Sequence, residues 1–208
     1  MTDAMPNDLA NADASQRLHT FFGVSPSVQK KVGTFILIWG KFECTIELLI
    51  WSTKGETPAG VRPSTDARPV SVLIDNLRTW AKSTADDPLL TALVLTCEIA
   101  DNLLEYRNAV VHGRIFEGGK FTSNGSLLGE LRKRQETTVH VSEGVLDRAI
   151  RAADVLERAT GLISAVYAGA LDDDHPVFNE ILGRLLTTTR ESIEVRYLSK
   201  SIVEGTYG

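Results

Sequence analysis
The run EYRNAVVHGR, Glu105 to Arg114, sets an arginine, an asparagine and a histidine close together: Arg107, Asn108 and His112. These side chains suit chemistry on a phosphate. An imidazole exchanges a proton near neutral pH, a guanidinium donates in a fork to phosphoryl oxygens, and an amide can orient either partner. Their spacing limits how they cooperate. On a straight helix Arg107 and His112 project about 140° apart, whereas Asn108 and His112 are an i, i+4 pair on one face. Arg107 and His112 reach one phosphate only if the helix bends before Gly113 or if two copies of it meet across a twofold axis. A purely structural reading competes: Arg107 pairs with Glu98, Asp101 or Glu105, and His112 caps a helix C-terminus, where the dipole favours a cation. The flanking Leu103, Leu104, Ala109, Val110 and Val111 make this segment apolar nearly all round. Polar residues set among them must find partners or line a cleft.

Other residues could assist. Glu43, in WGKFECTIELL, stands at helical spacing from Ile36, Trp39, Ile46 and Ile50, so its carboxylate lies on or beside an apolar stripe and needs a partner. Arg107 is the natural candidate, held by a bidentate bond; the competing reading leaves Glu43 solvated at the stripe's edge with Glu47. In LRKR, Arg132, Lys133 and Arg134 are consecutive cations on an expected strand, with Arg114 and Lys120 nearby. Such a run is either a solvated face or, folded back beside the motif, a source of phosphate attraction. His19, His140 and His175 have no comparable neighbours.

The elements that must position these residues are mostly helices. Ser25 and Pro26 form a cap-and-start signature and Gly55 a stop; between them Phe35, Trp39, Phe42, Ile46 and Leu49 mark one buried face. GETPAGVRPSTDARP reads as a loop and VSVLIDNLRTWAKS as a second helix. Asp87 and Pro88 repeat the start signature and open a third, long helix whose last turns carry the motif. Beyond Gly113, the short runs GRIFEGGKF, SLLGELRKR and ETTVHV, separated by GG and NG, suit a small hairpin or three-stranded ribbon. Ser142 and Glu143 start a fourth helix, and PVFNEILGRLLTTT reads as a fifth. The resulting division is a disordered N-terminal arm over 1–17, a helical domain over 18–172 with the β insertion at about 113–141, and a C-terminal helix and tail over 173–208.

Composition sets outer limits. A chain of 208 residues with 43% hydrophobic content supports one core, and the absence of internal repeats argues against a solenoid. A formal charge of −5 excludes non-specific coating of nucleic acid by the whole surface. Any polyanion binding must be local. Cys44 and Cys97 lie in apolar helical segments without a second Cys or His at ligand spacing and read as core thiols. The N-terminus carries acids where a signal peptide needs a basic start, and no run approaches the length of a membrane span, so a cytoplasmic protein without membrane partners is expected.

RNAVVH near the end of a long bundle helix resembles the motif of the HEPN superfamily (higher eukaryotes and prokaryotes nucleotide-binding domains), and the helix order over roughly residues 25–170 resembles it as well. The resemblance implies an all-α, up-and-down bundle, into which the β ribbon read from the runs beyond Gly113 is inserted after the third long helix. It also implies a homodimer with the motif helices facing each other and metal-independent cleavage of single-stranded RNA, without cofactor. In that mechanism His112 takes the proton from a ribose 2′-OH, Arg107 stabilises charge on the phosphoryl oxygens and Asn108 orients the substrate or His112. Many members are toxins or antiphage effectors, which makes an antitoxin or regulatory protein a further partner class. Others are inactive binding or regulatory modules, the alternative for this chain. Arg114 stands where the toxins paired with a nucleotidyltransferase antitoxin carry Tyr, which separates this sequence from that subgroup.

Overall fold
The computed structural model describes residues 13–57, 64–82, 88–112, 114–117, 127–130, 138–172 and 175–204. Among these the architecture is a helical bundle: α1 (Ala14–Phe22), α2 (Pro26–Lys54), α3 (Val70–Lys82), α4 (Pro88–His112), α5 (Glu143–Tyr167) and α6 (Pro176–Glu204). Three short strands lie between α4 and α5: β1 (Arg114–Glu117), β2 (Leu127–Glu130) and β3 (Thr138–His140). They are antiparallel in the order β1-β2-β3, with Ile115 opposite Gly129 and Gly129 opposite Val139.

The long helices begin and end where local chemistry requires. The Ser25 hydroxyl accepts from the Val28 amide, Pro26 occupies the first turn, and Gly55 closes α2 at φ 65°. The amides of Gly55 and Glu56 then bond the carbonyls of Ser52 and Trp51, satisfying acceptors that the helix end leaves open. Ser142 caps α5 in the same way, accepting from the Val145 amide at 3.3 Å.

Helix α2 packs along α5, while α4 lies against α3, α5 and α6. The five expected face residues of α2, Phe35, Trp39, Phe42, Ile46 and Leu49, are all buried in one core. Opposite them α5 contributes Ala149, Ala152, Ala153 and Ala159, also buried, and Gly161 lies 3.8 Å from Thr45 Cγ2 if given a Cβ. Small residues on one helix leave room for rings on the other, so the two axes can approach closely.

Three expectations change. Residues 14–17, assigned to a disordered arm, belong to α1, which starts with a capping box between Asp13 and Gln16. Gln29 ties that helix to α2 by donating to the Ser15 and Val24 carbonyls. The C-terminal segment is not an appendage: α6 is 29 residues long and adds Phe178, Ile181, Leu185 and Val195 to the common core. Its stripe is hard to see in the sequence because Thr188 and Ser192 occupy buried positions of the same face. Third, the thiols divide: Cys97 is buried but Cys44 is exposed. Residue 44 falls on the side of α2 opposite Phe42 and Ile46, and an apolar segment does not bury every residue in it.

Candidate functional site
Two helices position Arg107. It lies on α4 one residue beyond Tyr106, which is buried and meets Phe35 of α2 edge-on at 5.8 Å. This contact fixes the rotation of α4 against α2. Glu43 then faces Arg107, with Oε1 3.1 Å from Nη2. The same oxygen accepts the indole N–H of Trp39 at 2.7 Å. Arg107 Nη1 also donates to Asn108 Oδ1 at 3.1 Å. The side chains of Arg107 and Glu43 are 20% and 34% exposed, so the pair sits at the edge of the core and faces water on one side.

The expected partnership of Glu43 with Arg107 is therefore present. Of the acids considered as alternative partners, Asp101 is engaged by Arg78 of α3, which also holds Asp75 at 2.7 Å. Burial raises the Asp101 pKa, with the Arg78 charge pulling the other way. Asn102 donates to Ser192 of α6 at 3.2 Å and accepts from Arg196 at 3.2 Å. By spacing alone, Asp101, Glu105 and Asn108 share another face of α4, at steps of four and three.

His112 is the last residue of α4, which is α-helical from Pro88 to that point; its side chain lies outside the described part of the structure. Arg114 opens β1 at the backbone level. Lys120, Arg132, Lys133 and Arg134 lie outside the described residues. The structure thus brings Arg107, Asn108 and Glu43 together and places His112 one turn beyond Asn108 on the same helix.

Trp39 is the residue that sequence reasoning missed, because its ring was fully accounted for by the core. The signal was present: Trp39 and Glu43 are an i, i+4 pair on α2, within reach of an indole-to-carboxylate hydrogen bond. Tyr106 is a second case. Its hydroxyl is buried without a hydrogen-bond partner among the described residues, and burial raises its pKa.

Chemically, the pair is close to neutral as a unit. Glu43 offsets the charge of Arg107, so what the guanidinium offers a ligand is oriented N–H donors more than net attraction. Away from this edge, an open groove of ≈ 420 Å³ between α5 and α6 is lined in part by Arg158, Glu180 and Arg184. Its arginines pair within their own helices, Arg158 with Asp154 and Arg184 with Glu180. Among the described residues, no helix is long and apolar enough to cross a membrane.

No protein-family model matches this chain, and neither a curated protein nor a solved structure matches it.

Proposed function
We propose that the chain is a HEPN-type, metal-independent endoribonuclease that cleaves single-stranded RNA as a homodimer, in the role of a toxin or antiphage effector. The observation that supports this reading is the placement of Arg107: a partly exposed guanidinium held by Glu43, itself anchored by Trp39, beside Asn108 and near the motif end of α4. In the proposed reaction His112 removes the proton of a ribose 2′-OH, whose oxygen attacks the adjacent phosphorus. The bond to the 5′-oxygen breaks as that oxygen takes a proton from water, leaving a 2′,3′-cyclic phosphate and a 5′-hydroxyl, and the proton held by His112 returns to solvent. Arg107 donates to the phosphoryl oxygens as negative charge grows on them, and Asn108 orients the substrate or the imidazole. Arg114, Lys120, Arg132, Lys133 and Arg134 supply the local phosphate attraction that a chain of net charge −5 otherwise lacks.

Incubation of purified protein with mixed single-stranded RNA in EDTA tests the proposal. Wild type should yield cyclic-phosphate ends, and His112→Ala should slow cleavage by about 10²–10⁴-fold, the usual contribution of a positioned acid or base. EDTA silences contaminating metal nucleases.

One observation favours a second reading, a non-catalytic helical dimer that binds a partner protein or nucleotide. Both terminal nitrogens of Arg107 already have acceptors inside the chain, Glu43 and Asn108, so the arrangement is satisfied without a substrate. Failure of the wild type to cut any of a varied set of RNAs would favour that reading.

A further inference from the structure
We propose that Ser64 is the nucleophile of a second reactive centre, at the C-terminal end of α2, which takes an acyl group from small activated esters, with Glu56 as its base and Lys54 as its oxyanion donor. Gly55 ends α2 in the left-handed conformation, and the residues on either side of it, Lys54 and Glu56, both reach Ser64. Ser64 Oγ donates to Glu56 Oε1, and Lys54 Nζ donates to Ser64 Oγ at 3.0 Å. A hydroxyl set between a carboxylate that can take its proton and an ammonium that favours the charged oxygen has the arrangement of an activated nucleophile.

Two features go beyond what closing a loop requires. Glu56 Oε2 is buried and has no hydrogen-bond partner among the described residues. A polar atom so placed is costly until something donates to it. Three residues beyond Ser64, Ala67 holds φ 52°, a left-handed conformation that its Cβ disfavours and that persists where surrounding structure imposes it, often at functional sites. The backbone between them is pinned, because Trp51 Nε1 donates to Thr65 Oγ1 at 2.9 Å and the Arg68 amide to the Thr65 carbonyl at 3.1 Å. Ser64 is 8% exposed, yet Lys54, which touches its hydroxyl, is an exposed residue without an ion pair among the described residues. The hydroxyl therefore sits just beneath the surface, which selects small substrates.

The reaction runs in two steps. Ser64 Oγ attacks the ester carbonyl carbon as Glu56 takes its proton, and a second N–H of Lys54 meets the oxygen on which negative charge grows. The bond to the leaving oxygen breaks, that oxygen takes the proton from Glu56, and an alcohol departs. Water held by Glu56 Oε2 then attacks the acyl-serine, gives a proton to Glu56, and releases the acid as Ser64 Oγ recovers that proton.

Treatment of the full chain with a small alkyl fluorophosphonate, followed by peptide mass spectrometry, tests the proposal, with release of 4-nitrophenol from its acetate as a second readout. Wild type is expected to carry one label, on Ser64, formed as fluoride leaves phosphorus. Ser52, whose hydroxyl donates to the Leu48 carbonyl and has no carboxylate beside it, is the internal control and should stay unlabelled. Glu56→Gln should slow labelling by about 10²–10⁴-fold and Lys54→Met by about 10²–10³-fold, with circular dichroism spectra matching wild type. Absence of label from Ser64 in folded wild type overturns the proposal whether or not either variant folds. Label on Ser52 as fast as on Ser64 overturns it as well, since the hydroxyl then has no special reactivity. Wild-type labelling rates in both variants overturn the roles of Glu56 and Lys54. RNA cleavage is not a readout in any arm, so the ribonuclease reading stands or fails separately.

Discussion
Glu43 accepts from two directions at one oxygen, from the indole of Trp39 on its own helix and from Arg107 across the helix interface. The pair is partly exposed, so its contribution falls between the values for surface and buried pairs. Glu43→Gln should lower stability by about 1 kcal/mol, well short of the roughly 3–5 kcal/mol for breaking a buried pair. If Arg107 serves RNA cleavage, the same variant should slow cleavage by more than that loss of stability explains. Urea denaturation and a cleavage rate measured well below the melting temperature separate the two effects. The thiols provide a second check at this scale. Cys44 should react with a thiol reagent in the native protein and Cys97 only on unfolding, because burial pushes the Cys97 thiol up to about 12. The sign of its pH effect follows: above the ordinary thiol value of 9.0 the unfolded chain releases this proton while the folded one keeps it, so stability falls as pH rises. Between about pH 9 and 10 the wild type should therefore lose up to about 1.4 kcal/mol per pH unit more than Cys97→Ala. Equal slopes in urea midpoints across that range would count against a buried Cys97.

Helices α2 and α5 each begin at a serine whose hydroxyl accepts from a first-turn amide. Ser142 caps α5, the helix that carries the alanine face against α2. Ser142→Ala should cost about 1 kcal/mol and lower Tm by about 2–4 °C in a chain of this size, measurable by circular dichroism. A shift of zero would mean that water replaces the hydroxyl at no cost. Helix α4 unites the two readings of the motif. Its apolar residues Leu103, Tyr106, Ala109 and Val110 are consumed by the core, while Asp101, Asn102, Arg107 and Asn108 all find acceptors or donors on neighbouring helices or on α4 itself. An apolar segment with embedded polar groups was thus a sound reason to expect partners.

At the scale of the whole molecule, the spacing of Arg107 and His112 becomes a question about subunits. Helix α4 stays α-helical through His112, and on a straight helix the two side chains diverge by about 140°. If both act on one phosphate across a twofold axis, Arg107→Ala and His112→Ala homodimers should each be inactive. Mixing them under exchange conditions should restore part of the activity, since one of the two clefts in a heterodimer keeps both residues. No recovery is expected if each protomer supplies its own pair. Wild-type rates in both single variants would remove this motif from catalysis.

The sequence by itself determined what depends on local rules. Ser25, Pro26 and Gly55 bound α2 because capping and left-handed geometry act within a few residues, and Phe35, Trp39, Phe42, Ile46 and Leu49 declared the buried face because helical periodicity repeats on the scale of the core. It also suggested Arg107 for Glu43, since a carboxylate beside an apolar stripe needs a cation. Tertiary structure decided what depends on neighbours. Trp39 gained a polar role from the side of α2 that meets α4; Cys44 emerged on the open side of the same helix; and the buried Ser192 of α6 was tolerated because it bonds Asn102 and the Thr189 carbonyl. A polar residue reveals whether it is core or surface only when its partner is known, and those partners come from helices distant in sequence.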